Sequence, residues 1–186
     1  MYYSGKITDI SKYLNLLKNI KGKIVACDLD NTLVNTNFEL KKYGFDITHY
    51  PIEELDDKFW LSAFGNEIMY NAEPIKTILK CLFSMQEAGG EIIFCTQRSE
   101  ALENLTYSWF RRNHLFTNMI RFVNTKKAVN ADIFIEDNPK EIKELLSINK
   151  IVIVPTWEYN KDISHGSLIR LNINNNFDDY VKGVAV

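Results

Sequence analysis

The chain has 186 residues, 46% of them hydrophobic and 25% charged, with a formal net charge of −2. That length suits one well-buried domain carrying a small insertion, and the composition excludes a disordered or fibrous chain. The basic clusters Lys41-Lys42, Arg111-Arg112 and Lys126-Lys127 are pairs and not runs, which argues against a stable nucleic-acid partner.

In chain order, Ile7, Ile10, Leu14 and Leu17 recur at helical spacing and predict a first amphipathic helix. The run Ile24–Cys27 is short, apolar and rich in β-branched residues, as a strand buried on both faces should be. Residues 37–73 break the pattern, being rich in aromatics (Phe38, Tyr43, Phe45, Tyr50, Phe59, Trp60, Phe64, Tyr70) and in acidic residues. The stretch is too long for an ordinary strand-to-helix connection and too hydrophobic for a linker. It reads as a small helical insertion over the sheet, which divides the chain into a core of residues 1–36 and 74–186 and an insertion of 37–73.

Pro74 fits the first turn of a helix with Ile75, Ile78, Leu79 and Leu82 on its apolar face and Gly89-Gly90 at its end. A second strand is expected at 92–95, followed by a helix capped by Ser99 that carries Leu102, Leu105 and Trp109. A third is expected at Ile133–Ile135. Asn138, Pro139 and Glu141 then supply a cap, an N1 proline and a capping-box acid before Ile142, Leu145 and Leu146. A fourth strand is expected at 151–154. Strands alternating with helices predict an α/β fold with a doubly wound, mainly parallel sheet.

Cys27, Cys81 and Cys95 sit in apolar surroundings without zinc-site spacing and read as core residues. No apolar stretch reaches membrane-spanning length and residues 1–6 carry no apolar leader segment, so a reducing cytoplasm and no membrane partner are expected.

Ligands of open α/β sheets gather at the carboxyl ends of the strands. After the first strand stand Asp28 and Asp30, two carboxylates two residues apart, an arrangement a hard cation stabilises. After the second comes Thr96-Gln97-Arg98-Ser99, where a strand-end hydroxyl followed by a helix start can cradle phosphate, although Ser99 is equally explained as a helix cap. Lys126-Lys127 precede the third strand, and at least one of the two faces solvent. Glu136-Asp137 follow it and offer a further carboxylate to the same metal, Asn138 already serving as the cap.

In this order the set resembles the haloacid-dehalogenase-like hydrolases, with Asp28-x-Asp30-x-Thr32 as first motif, Thr96 as second, a lysine as third and Glu136-Asp137 as fourth. The segment from Lys126 to Asp137 is similar to the corresponding region of the 5'(3')-deoxyribonucleotidases, where a lysine stands six residues before an aspartate, here Asp132; that alignment selects Lys126 over Lys127. Tyr107-Ser108-Trp109, Tyr159-Asn160 and Asn176-Phe177-Asp178-Asp179-Tyr180 also look similar. The chain departs from that family at Asn31, where glycine is usual, at Glu136, which replaces an aspartate, and at Gln97-Arg98-Ser99.

The resemblance implies a Rossmann-like core with a helical cap, and a magnesium-dependent phosphatase acting on a small phosphate ester, a nucleotide above all. Asp28 would be the nucleophile and Asp30 the general acid and base. Magnesium would be held by the Asp28 carboxylate, the Asp30 carbonyl and Asp137, with Thr96 and Lys126 on the phosphoryl oxygens and Glu136 behind Lys126 or a metal-bound water. Thr32, Arg98, Phe59 and Trp60 are the candidates for substrate contact, the aromatics by stacking a base or else by forming the cap's own core. A polynucleotide 3'-phosphatase, a phosphatase for a non-nucleotide metabolite and an inactive ligand-binding module on the same fold share these motifs.

Overall fold

A computed structural model describes residues 7–173 apart from Phe116 and Asn118; the late 176–180 motif lies outside the described residues. The first helix, α1 (Ile7–Lys18), leads into β1 (Ile24–Cys27). Its buried stripe centres on Tyr13 and Leu16, and Ile20 just past the helix is also buried, while Ile10, Leu14 and Leu17 flank the stripe half-buried. Beyond β1 come α2 (Thr36–Lys42), α3 (Asp57–Leu61) and α4 (Ala63–Asn71). Three side chains start them: Asn35 accepts from Phe38 N, Asp56 from Phe59 N and Ser62 from Gly65 N.

The chain enters and leaves this helical stretch side by side. Val34 bridges Pro74, Asn35 N donates to Glu73 O (2.8 Å) and Ile75 N to Leu33 O (2.8 Å). Pro74 therefore belongs to this paired neck and not to a helical first turn; α5 (Lys76–Glu87) starts two residues later, because Ile75 is still extended and bonded to Leu33. Gly89, at φ +92°, ends α5 in a left-handed conformation that glycine adopts without steric cost.

The remaining elements are β2 (Glu91–Thr96), α6 (Glu103–Arg112), β3 (Ile120–Phe122), β4 (Ile133–Ile135), α7 (Pro139–Ser147), β5 (Ile151–Pro155) and β6 (Leu168–Leu171). Ser99 caps a short 3₁₀ turn, Glu100–Leu102, that runs into α6. All six strands are parallel, in the order β3-β2-β1-β4-β5-β6, with helices on both faces: a doubly wound, Rossmann-like α/β fold. Successive strand residues point to opposite faces, so Val25 and Cys27 pack with α1, α5 and α6, whereas Ala26, Phe134 and Val152 pack with α7. Each face thus has its own core.

The chain leaves β1 toward β2 and β3 on one side and returns to β4 on the other, so the crevice for a ligand opens at the carboxyl ends of β1, β2 and β4. The three cysteines are free and buried. No helix among the described residues is long and apolar enough to cross a membrane.

Candidate active site

Asp28 continues the ladder one residue beyond β1, its N–H donating to Ile135 O (3.0 Å). The chain then folds sharply around Leu29, whose carbonyl accepts the N–H groups of Thr32 (3.2 Å), Leu33 (2.8 Å) and Val34 (2.7 Å). The turn needs a left-handed residue, and Asn31 supplies it at φ +57°. Asparagine tolerates that region better than most residues with a Cβ, so it can hold the turn. Asp28 and Asp30 both line a cavity of about 230 Å³ at the strand ends.

Lys126 reaches Asp28 from a single 3₁₀ turn, Lys126–Ala128, that precedes β4. Its side chain is 1% exposed; Nζ donates to Asp28 Oδ1 and to Cys95 O (3.0 Å), and lies 3.7 Å from Glu136 Oε2. Burial works against the ammonium, yet the charges of Asp28 and Glu136 outweigh it and hold the lysine protonated. Lys127 instead meets Glu144 at the surface (2.9 Å), so of the two lysines only Lys126 enters the site.

What aims that turn is Glu141. Its Oε2 accepts from Lys126 N (2.9 Å) and Thr125 Oγ1 (3.3 Å), and its Oε1 from Gln97 Nε2 (3.1 Å). The capping-box role expected for Glu141 is therefore not what its side chain does: Asn138 alone caps α7, accepting from Lys140 N (2.9 Å), and the buried glutamate turns to the lysine loop. Glu141→Ala leaves the buried Lys126 N–H unpaired and is expected to cost about 1–3 kcal/mol of stability in urea titration. A change within about 0.5 kcal/mol would show the turn to be held by other contacts.

Three buried carboxylates, Asp28, Glu136 and Asp137, bring ligand atoms within 4.8 Å of one another. Glu136 Oε1 accepts from the N–H groups of Asp137 (3.1 Å) and Asn138 (3.0 Å), whereas its buried Oε2 accepts no hydrogen bond. Asp137 is held by Thr32 Oγ1 (2.9 Å) and Tyr159 Oη (2.6 Å), and its carbonyl accepts from Asn160 Nδ2 (3.0 Å). Burial raises all three carboxyls: Asp137 is pushed up to about 8, with the Asp28 charge adding to the effect, Glu136 is well above the carboxylate range, and Asp28 is raised despite Lys126. Mutual repulsion, one unbonded buried oxygen and an all-oxygen donor set fit a hard divalent cation. Glu136, expected behind Lys126, stands in this cluster as well as beside the lysine.

Thr96 ends β2 at the cavity wall, its Oγ1 accepting from Arg98 N (3.1 Å). Thr32 is fully buried and its hydroxyl is directed at Asp137, so it braces a carboxylate. Arg98 is buried against Asp30, in an ion pair that sequence spacing did not reveal. Trp60 lines the cavity. Phe59 does not; its ring meets those of Trp60 (4.9 Å), Phe45 (5.6 Å) and Phe64 (5.9 Å) edge-on, so it packs among the helices after β1.

Several residues of the site carried no assigned role in the sequence. Tyr159 and Asn160 follow β5 and grip Asp137, and Trp157 donates to Asn31 O (2.7 Å). Tyr50 lies against Tyr159 (5.4 Å) and accepts from Asn138 Nδ2 (3.0 Å). Position just beyond a strand's carboxyl end was the available signal for the first three; nothing local marks Tyr50.

No model of a known protein family matches the chain. A protein of Clostridium acetobutylicum named as a nucleotidase is 25% identical over 172 residues, covering 84% of this chain and 88% of its own. A Bacillus subtilis protein, YqfW, whose name assigns it provisionally as a nucleotidase, is 27% identical over 171 residues, covering 86% of this chain and 89% of its own. The chain is thus similar, over most of its length, to two proteins that bear the nucleotidase name.

Proposed function

We propose that this protein is a magnesium-dependent phosphatase of the haloacid-dehalogenase type that hydrolyses nucleoside monophosphates through an aspartyl-phosphate on Asp28. The observation that carries the reading is the convergence of Asp28, Thr96, Glu136 and Asp137 from three different strand ends onto one cavity at the switch point of the sheet, with Lys126 reaching Asp28 from the 3₁₀ turn before β4. The nucleotidase names of the two relatives support the choice of substrate.

Asp28 attacks the phosphorus in line; the Asp28 oxygen–phosphorus bond forms as the bond to the leaving oxygen breaks, and Asp30 gives that oxygen its proton. Asp30 then takes a proton from water, whose oxygen displaces Asp28 and releases inorganic phosphate. Lys126 orients the nucleophile through Asp28 Oδ1 and, with Thr96, offers positive charge and a hydroxyl to the phosphoryl oxygens. Asp28, Asp137 and Glu136 would hold magnesium, with the Asp30 carbonyl, and the ion would offset the charge gathered between carboxylates and phosphate. Thr32, Tyr159 and Asn160 keep Asp137 in place for that purpose.

Residues 37–73 serve in this reading as the cap over the core of 1–36 and 74–186. The paired neck at Val34 and Pro74 supports it, as do His49, Tyr50, Ile52, Leu55 and Trp60, which wall the cavity from that side. Walls on that side suit a mononucleotide better than the open groove a polynucleotide end requires, and Trp60, with His49 and Tyr50, offers a ring to a base in this reading.

The test is phosphate release with Mg²⁺ and with chelator, across 5'- and 3'-mononucleotides, 3'-phosphorylated oligonucleotides and sugar phosphates. Mononucleotide turnover that chelator abolishes and Mg²⁺ restores is expected. Preference for oligonucleotide ends would move the assignment to a 3'-phosphatase, and a folded protein that turns over none of them would overturn the reading.

A further inference from the structure

Arg98 stands two residues after the end of β2, where its N–H donates to Thr96 Oγ1 and folds the loop back over the strand end. Both residues line the cavity, but the Arg98 side chain is only 3% exposed, whereas that of Asp30 is 33% exposed. The two groups meet as a fork: Nε donates to Asp30 Oδ2 (2.7 Å) and Nη2 to Asp30 Oδ1 (2.7 Å). On its far side Nη1 donates to Thr106 Oγ1 (3.2 Å), whose hydroxyl is itself directed at Leu102 O (2.9 Å) and so can only accept from the arginine. All three guanidinium nitrogens are thus engaged inside the protein, and the arginine lies behind Asp30.

Asp30 has one further partner. Thr36 Oγ1, on the first residue of α2, donates to Oδ1 (2.7 Å). The carboxylate is therefore pinned from the β2 loop and from α2, with its remaining surface turned to the cavity. A bidentate guanidinium fixes the plane of a carboxylate as well as its distance, which a single point charge cannot do.

We infer that Arg98 is a positioning residue, which holds the Asp30 carboxylate in the orientation from which it exchanges a proton with the leaving oxygen, and is not a contact for the substrate phosphate. The inference rests on the phosphatase reading above. It assigns the anion to Lys126, Thr96 and the strand-end backbone, and it gives the Gln97-Arg98-Ser99 departure a use within the reaction.

The nucleoside leaves a nucleotide as an alkoxide and needs a proton; p-nitrophenol leaves its phosphate ester as a stable phenolate and does not. The experiment compares kcat/KM, which reads the steps up to departure of the leaving group, on both substrates for wild type, R98M, R98K, D30N and the R98M/D30N double variant. R98M is expected to lower kcat/KM on a nucleoside monophosphate by about 10²-fold and on p-nitrophenyl phosphate by about tenfold less than that. R98K, which keeps the charge and most of the volume but not the fork, should show the same substrate-dependent pattern even where R98M folds poorly. In the D30N background R98M should add no further loss, because an interaction already removed cannot be removed again.

Equal losses on both substrates, a raised KM and additivity with D30N would overturn the inference and make Arg98 a phosphate ligand. Undiminished activity of R98K on the nucleotide would overturn it too. A folded wild type that turns over neither substrate overturns the phosphatase reading and this inference together, so the two failures are told apart by the wild type alone.

Discussion

Replacing Asp28 by asparagine is expected to abolish phosphate release while the protein stays folded. The carboxamide has nearly the shape of the carboxylate it replaces but no anionic oxygen to attack phosphorus, so under the proposed mechanism no aspartyl-phosphate should form and kcat should fall by at least about 10⁴-fold. The fold is expected to tolerate the change, because burial already disfavours the Asp28 charge and Glu136 and Asp137 repel it. Lys126 loses its nearest partner, yet it retains Cys95 O at 3.0 Å and Glu136 Oε2 at 3.7 Å. Acid-quenched mixtures with phosphorus-labelled nucleotide should carry covalent label in the wild type and none in the variant. Residual turnover above about 1% would mean that water is activated directly and that Asp28 is not the nucleophile.

How much of this could be read from the sequence depended on distance along the chain. The four central strands announced themselves because burial on both faces demands continuous β-branched runs. The edge strands β3 and β6 did not, since Ile120-Arg121-Phe122 and Leu168-Ile169-Arg170-Leu171 interrupt their apolar residues with arginine, as half-covered edges permit. Asp28, Thr96, Glu136 and Asp137 of the candidate site sit directly at strand ends, where the sequence offered them as a set. It did not offer their supports: Arg98 meets Asp30 across 68 residues, and Glu141 meets Lys126 N across 15. Local pattern offered Glu141 a capping box, and the family resemblance offered Arg98 a substrate contact. A buried long-range partner displaced the cap of Glu141, because a buried polar group left unpaired costs more than a lost cap, and the ion pair of Arg98 with Asp30 is equally invisible to local pattern.

Lys126→Met is expected to destabilise the metal-free protein by about 3–5 kcal/mol, the cost of breaking a buried ion pair from one side. In the wild type one ammonium faces three buried carboxylates, Asp28, Glu136 and Asp137. Methionine fills much of the lysine's volume but supplies no charge, and it also leaves Cys95 O without its donor. The carboxylates must then repel one another or take up a proton, and either lowers stability. Magnesium should reverse part of the loss, since a cation that binds the folded state alone stabilises it in proportion to its affinity, and the variant's cluster carries one more unbalanced negative charge. The signature is a larger Mg²⁺-induced rise in Tm for the variant than for the wild type. Lys127→Met is the internal control: Lys127 is exposed and its partner Glu144 only half-buried, and a surface pair of that kind contributes at most about 1 kcal/mol. Thermal melts in chelator and in Mg²⁺ decide the matter. If the Lys126 and Lys127 variants melt together in chelator, the buried lysine does not balance the cluster; if Mg²⁺ shifts the Lys126 variant no more than the wild type, the three carboxylates do not hold the ion.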